Sequence, residues 1–332
     1  MKPFKIAGLV LGILAIIYLA GPRPAKPVYL LTLPTVPTQA DSLENYIQQQ
    51  ESKQPLKPGN EARIVWNNDS LKNQTEFAIV YLHGFSASQM EGDPVHRNLA
   101  KKFGCNLYLS RLDDHGVDTS APLSKFTAEG LWNSALEAVA IGKKLGKKVV
   151  LLSTSTGGTL ALKLAAEFPD IAASILLSPN IEINDNKAWL LNNPWGYQIA
   201  KAIVGEMRTV SDTTAAYARY WNYQYKTSSV VQLQQLLETT MNASLFERIK
   251  QPTLLLYYFK NKQEQDPVVK VAAMKRMFRQ LGTPDSLKIA MALPNTGDHV
   301  LASPIKSKDI TSVENACTDF AIRVLHWNPQ TP

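Results

Sequence analysis

Lys148-Val149-Val150-Leu151-Leu152-Ser153-Thr154-Ser155-Thr156-Gly157-Gly158-Thr159-Leu160 is the stretch that decides the reading of this chain. A short aliphatic run ends abruptly in small and hydroxylated residues, after which Leu160, Leu162, Leu164, Ala165 and Phe168 recur at helical spacing. The pattern predicts a strand, a sharp turn and a helix. The turn has the layout of a nucleophile elbow, G-x-S-x-G, with Ser153 in place of the first glycine. Small residues two before and two after the centre let the strand and helix backbones approach, which forces the central residue into a strained conformation with its side chain outward. Ser155 is the residue so presented. The same segment also reads as a Ser/Thr-rich turn capping an ordinary helix, and the motif alone does not separate the two readings.

Outward from this point the chain alternates between strand and helix signals. Arg63–Trp66, Phe77–Leu82 and Asn106–Ser110 read as strands, and Ala128–Leu145 reads as a helix ended by Gly146. Beyond the elbow, Ala172–Leu177, Thr253–Phe259 and Leu287–Leu293 read as strands. Helices are expected over about Val268–Leu281 and over Ser312–Leu325. Strands alternating with helices predict a mostly parallel sheet covered on both faces. Between about 181 and 250 the pattern turns helical or irregular and gathers Trp and Tyr residues from Trp189 to Tyr225. No internal repeat or low-complexity tract is evident.

The 332 residues suit one large domain with an insertion, or two domains, behind an N-terminal extension, and 45% hydrophobic residues are enough for a sizeable core. The formal charge of +7 comes with lysine pairs spread over helix ends and no basic run interleaved with aromatics, so a nucleic-acid partner is not expected. Cys105 and Cys317 are too few for a disulfide framework or a zinc cluster, and sequence does not say whether they pair. A metal site built from Asp93, His96, Asp114 and His115 lacks any recognised ligand spacing and is rejected.

From Ile6 to Ala20 the chain is uninterruptedly apolar or Gly, with Lys2 and Lys5 before it and a Pro-rich run after it. As a helix this run spans about 22 Å, short of a hydrocarbon core of about 30 Å. Tyr18 and Pro22 suit a cleavage site poorly. An uncleaved N-terminal membrane anchor over 1–21 is therefore favoured over a cleaved signal, with the catalytic domain on the exported, periplasmic or extracellular side. Prolines and a polar run predict a stalk over 22–60, followed by the globular domain over 61–332.

In a parallel sheet functional groups collect at the carboxyl ends of strands, which here carry His83-Gly84-Phe85, Ser155, the loop Lys260–Asp266 and Asp298-His299. A serine needs a histidine to take its proton, and that histidine needs a carboxylate to orient it. Of the five histidines, only His299 lies in the loop directly after the last strand, while His326 ends the last helix.

The order of elbow serine, acid after a later strand and histidine after the last strand resembles the α/β-hydrolase fold, within it monoacylglycerol lipases, lysophospholipases and similar serine carboxylesterases. The resemblance covers about Phe77 to Leu325. His83-Gly84-Phe85 is similar to the family's oxyanion turn, and Ser110-Arg111-Leu112-Asp113-Asp114-His115-Gly116 is similar to its R-x-x-x-H-G loop. Ser153 is the departure from the pattern. The resemblance implies Ser155 as nucleophile, His299 as general base and then acid, Asp266 as orienting carboxylate, and the amides of Phe85 and Thr156 as oxyanion hole. Asp266 precedes Pro267-Val268-Val269 as the family's acid often precedes an apolar stretch, with Glu264, Asp113 and Asp114 as alternatives. His83 and His115 are expected to brace the oxyanion loop. The inserted segment is implied to be a helical cap over the active site, its aromatic side chains lining an acyl pocket as well as packing. The implied activity is hydrolysis of carboxylic esters, lipid-like or small, without metal or organic cofactor. The same chemistry serves a peptidase, amidase or acyltransferase, and a non-catalytic, membrane-tethered binding protein is the reading from another class.

Overall fold

Each run read as a strand from sequence becomes one in the computed structural model, which describes residues 3–330. In chain order the strands are β1 (Arg63–Val65), β2 (Thr75–Leu82), β3 (Asn106–Leu109), β4 (Gly146–Thr154), β5 (Ile171–Leu177), β6 (Met207–Thr209), β7 (Gln224–Lys226), β8 (Thr253–Tyr257) and β9 (Lys288–Ala292). Seven of them form one sheet in the order β1-β3-β2-β4-β5-β8-β9, all parallel except for β1 against β3. The core-facing stretches of β2, β4, β5 and β8 are buried without alternation, as strands covered on both faces require.

The helices are α1 (Pro3–Leu19), α2 (Ala40–Glu51), α3 (Val95–Phe103), α4 (Ala128–Leu145), α5 (Thr156–Glu167), α6 (Gly196–Val204), α7 (Ala215–Tyr220), α8 (Thr227–Thr240), α9 (Ala243–Arg248), α10 (Val271–Gln280) and α11 (Ile310–Arg323). One face of the sheet is covered by α4, α5 and α10, which bury residues such as Trp132, Leu160 and Met274 in a common core. The other is covered by α3 and α11 through Leu99, Val313 and Phe320. From β2 the chain crosses to β3 on one side and then returns to β4 on the other, so the strand order reverses around β2. Such a reversal opens a crevice at the carboxyl ends of the strands. Register completes the placement: Leu82 pairs with Ser153, so His83-Gly84-Phe85 and Thr154-Ser155 leave the sheet side by side.

Between β5 and β8 the chain inserts a mainly helical cap, α6 to α9. A two-stranded antiparallel ribbon, β6 with β7, joins it, where helical or irregular structure was expected.

The N-terminal region departs from expectation in two ways. Residues 22–60, expected as a stalk, lie along the domain. Helix α2 buries Leu43 and Ile47 in the α4 side of the core, Glu51 takes both Nε and Nη2 of Arg111 at 2.8 and 2.9 Å, and the Trp132 indole donates to the Leu30 carbonyl at 2.5 Å. The transmembrane or signal-anchor expectation for 1–21 is also overturned. Helix α1 has 17 residues, and no helix among the described residues is long and apolar enough to cross a membrane; about 20 apolar residues are needed for that. The end of α1 is tied instead to the cap, where the Trp195 indole donates to the Ile17 carbonyl and the Trp195 amide donates to the Pro22 carbonyl, both at 3.0 Å.

Leu43→Ala measures how firmly residues 22–60 are strapped to the domain. Truncating a leucine that is 1% exposed is expected to cost about 2–5 kcal/mol of unfolding free energy, read by urea denaturation. A loss below about 0.5 kcal/mol is what a free stalk would give.

Candidate active site

The turn after β4 is built by close approach. A Cβ on Gly157 would lie 2.0 Å from the Leu82 carbonyl oxygen, so only glycine lets α5 start this near β2. The chain turns at Ser155, which sits at φ 54° and ψ −118°, a conformation that side-chain-bearing residues rarely adopt. Neighbouring backbone holds it there: the Ser155 amide donates to the Leu177 carbonyl at 3.0 Å, and the Ser155 carbonyl accepts from Asn180 at 2.9 Å. Ser153, at the position of the first elbow glycine, is accommodated because its hydroxyl donates to the Ile175 carbonyl at 3.3 Å. The elbow reading therefore fits the geometry better than a plain helix cap, and the Ser155 side chain makes no cap hydrogen bond.

His299 lies on the loop after β9, and Asp266 on the loop after β8. The His299 Nδ1 and Asp266 Oδ2 are 2.6 Å apart, and both residues are buried. Asp266 Oδ1 accepts from the Val268 amide at 2.8 Å and the Val269 amide at 3.0 Å, which fixes the carboxylate plane. With Nδ1 carrying the proton to Asp266, Nε2 is left as the imidazole's acceptor. Among the described residues this buried Nε2 has no hydrogen-bond partner. Burial pushes the Asp266 carboxyl up, but His299 and the two amides outweigh it and hold the group below its ordinary value. Burial likewise pushes His299 down, and the Asp266 charge and hydrogen bond, with smaller contributions from Glu91 and Asp298, raise it above the ordinary imidazole range.

Three other carboxylates, Glu264, Asp114 and Asp298, are engaged elsewhere. Glu264 pairs with Lys260 at 3.0 Å, Asp114 accepts from the Lys125 amide at 2.7 Å, and Asp298 caps the Val300 amide at 3.0 Å beside Lys306. The Asp113 amide donates to the Ser134 hydroxyl.

The turn after β2 is braced by two buried histidines. His83 Nδ1 donates to the Gly84 carbonyl at 2.9 Å while its Nε2 accepts from the Leu112 amide at 3.0 Å. His115 Nδ1 donates to the Asp113 carbonyl at 2.7 Å, and its Nε2 accepts from the Ser86 amide at 3.0 Å. Burial pushes His115 down to about 4 and holds His83 well below the ordinary imidazole range, so both are neutral and serve as fixed hydrogen-bonding struts. Phe85 packs edge-on against Phe126 and Tyr225, at 5.2 and 5.0 Å between ring centroids. Tyr225 belongs to the cap ribbon, so the cap grips this turn directly. Neither the Phe85 nor the Thr156 amide is taken by a protein acceptor among the described residues.

Sequence reasoning did not single out Glu91, a buried carboxyl whose Oε2 accepts from the Gly84 amide at 2.6 Å. A Cβ on Gly84 would stand 3.0 Å from the Glu91 carboxyl oxygens and 3.0 Å from the Ser155 Cβ. Glu91 lies within the short turn after Ser88, eight residues after the oxyanion-turn histidine, and no sequence spacing marks that position. Burial pushes its carboxyl up to about 7, against the Gly84 amide and His299, which pull it down. Cys105 and Cys317 are buried and unpaired, and burial raises both thiols to about 12.

The sequence pattern of the Alpha/beta hydrolase family matches residues 79–306. No curated protein matches the chain in sequence. Among solved structures, one from a study of the metagenome-derived lipolytic enzymes LipS and LipT is similar at TM-score 0.64 and 17% identity, over 80% of this chain and 98% of that one. The Paleococcus ferrophilus monoacylglycerol lipase is similar at TM-score 0.57 and 15% identity, over 79% and 98%. Est1E from Butyrivibrio proteoclasticus, with ferulic acid bound, is similar at 0.55 and 16%, over 80% and 95%.

Glu91→Gln tests the burial of this carboxyl. A group raised from 4.5 to about 7 by folding contributes its stability fully below 4.5 and loses it as pH rises through 7. The melting temperature of Glu91→Gln should therefore gain on that of the wild type as pH rises through this window. An unchanged difference across it would mean that Glu91 is not the buried proton holder described.

Proposed function

Because the chain belongs to the alpha/beta hydrolase family, we propose that it is a serine hydrolase cleaving carboxylic esters through an acyl-enzyme intermediate. The observation that carries the reading is the buried 2.6 Å His299–Asp266 pair with its unpartnered Nε2, on the same edge of the sheet as the strained Ser155 turn. In this reading His299 Nε2 takes the Ser155 proton as Oγ bonds to the ester carbonyl carbon, and the oxygen of the tetrahedral intermediate is met by the Phe85 and Thr156 amides. The proton then passes from His299 to the departing alcohol. Water, activated by His299 in turn, releases the acid and restores Ser155. Asp266 holds the tautomer and balances the imidazolium.

Apolar surroundings favour lipid-like or small acyl esters. Phe85 is sheathed in aromatic rings, and the cap carries an open groove of about 180 Å³ lined by Leu190, Leu191, Ile203 and Val230 among others. That groove neighbours Ile183, which bridges to Val269, three residues beyond Asp266. Export of the catalytic domain, as a secreted rather than an anchored protein, belongs to the same proposal and is supported by Lys2 and Lys5 ahead of the apolar run.

Hydrolysis of a p-nitrophenyl ester series of increasing acyl length tests the reading, with Ser155→Ala and His299→Ala as controls. Either variant is expected to reduce turnover by a factor on the order of 10⁴ or more, with folding unchanged by circular dichroism. Wild-type turnover that survives Ser155→Ala would sink the assignment. No turnover on any ester, together with no labelling by a fluorophosphonate, would favour a binding protein that keeps the fold.

A further inference from the structure

Where the oxyanion turn, the cap and the histidine loop meet, a third carboxyl is buried. Glu91 is 2% exposed, and four parts of the molecule converge on it. From the oxyanion turn, the Gly84 amide donates to Oε2 at 2.6 Å. From the cap, Trp221 is buried, stacked on Tyr217 with ring centroids 5.1 Å apart, and packed against Ala87 of the turn that leads to Glu91. From the nucleophile turn, the Ser155 Cβ and the Glu91 oxygens each lie 3.0 Å from the point where a Gly84 Cβ would stand, so they are at most two such distances apart. From the histidine loop, Val300, the residue after His299, packs with Ala87 and Trp221 in one small apolar cluster.

This position has a chemical consequence. The Gly84 amide belongs to the His83–Gly84 peptide, next to the peptide that carries the Phe85 amide. An acceptor that fixes it fixes the direction in which the next amide points, toward the place where the oxyanion develops. In its ionised form, above about pH 7, Glu91 also acts on His299 by charge. The titratable groups facing it are His299 and Asp298 from the loop after β9, Tyr217 from α7 and Tyr81 from β2. Of these groups, only His299 has an ordinary value inside the working pH range.

We propose that Glu91 is a positioning residue for the reaction: it holds the oxyanion turn by the Gly84 amide, where Trp221 of the cap packs against that turn, and supports the imidazolium of His299 as a second carboxylate besides Asp266. The proposal rests on the Ser155–His299 reading for its effect on rate, whereas its effect on His299 is read without any substrate.

Two variants separate positioning from mere packing. Glu91→Gln keeps an oxygen to accept from Gly84 and removes the charge, and Glu91→Ala removes both. Followed by NMR through the His299 imidazole proton, Glu91→Gln should titrate His299 about 0.5 to 1 pH lower than the wild type, since a nearby negative charge favours the protonated ring. The rate of fluorophosphonate labelling at Ser155 should reach a plateau within a few-fold of wild type in Glu91→Gln, with its acid limb moved to lower pH by the same step. In Glu91→Ala that plateau should drop roughly tenfold to a hundredfold. An unmoved His299 titration in Glu91→Gln overturns the proposal even if Glu91→Ala fails to fold. Absence of labelling in the wild type, with the His299 shift present, would count against the serine hydrolase reading and leave the Glu91–His299 coupling supported.

Discussion

The contact that the rest of the structure depends on is the approach of Gly157 to the Leu82 carbonyl, where a Cβ would stand only 2.0 Å away. It brings the start of α5 against the end of β2, and Ser155 has to absorb the turn at φ 54°. A side-chain-bearing residue in such a conformation costs of order 1–3 kcal/mol. The sheet offsets that cost: β4 is paired on both sides, to β2 and to β5, and the loop after β5 grips Ser155 by its carbonyl. A stable sheet can therefore hold one strained turn that a free peptide would not.

The second organising element is the buried Asp266–His299 pair. Two ionisable groups buried together are not stable for their own sake, and removing one partner of such a pair typically costs about 3–5 kcal/mol because the other is left uncompensated. Here the carboxylate is satisfied by His299 and two backbone amides, while the ring keeps one nitrogen unpartnered among the described residues. A buried, unsatisfied polar atom is hard to explain by packing alone. In the proposed reaction it is the atom that carries the proton. Glu91 adds a further buried carboxyl to the same neighbourhood, and its partners come from the core and the cap alike, which makes the cap part of the site's geometry.

Much of this was legible in the sequence, for physical reasons. The strands announced themselves because parallel strands buried on both faces are continuous aliphatic runs, and helix Ala128–Leu145 was bounded by its pattern and by Gly146. Ser155 could be read because its turn needs small neighbours, and His299 because one histidine alone lies in the loop directly after the last strand. Asp266 rested on resemblance, since spacing left Glu264 open, and the structure brings Asp266 to His299 while Glu264 pairs with Lys260. Glu91 was out of reach because its partners, Gly84, Trp221 and His299, meet it only through folding. The ribbon β6–β7 was missed because three-residue strands carry no readable period. Residues 22–60 misled because prolines and glutamines hide a stripe of only two buried positions on α2, Leu43 and Ile47, and the N-terminal run misled because it is apolar enough for a membrane but too short to span one: α1 stops at Leu19 after 17 residues.

Trapping the covalent intermediate tests the central claim most directly. Attack by Ser155 Oγ on p-nitrophenyl acetate would form an acetyl ester and expel p-nitrophenolate, so rapid quenching followed by peptide mass spectrometry should find an acetyl group on Ser155 and on no other residue. The same experiment on His299→Ala should find none. Ester turnover without an acetyl group on Ser155, or with one elsewhere in the chain, would contradict the account.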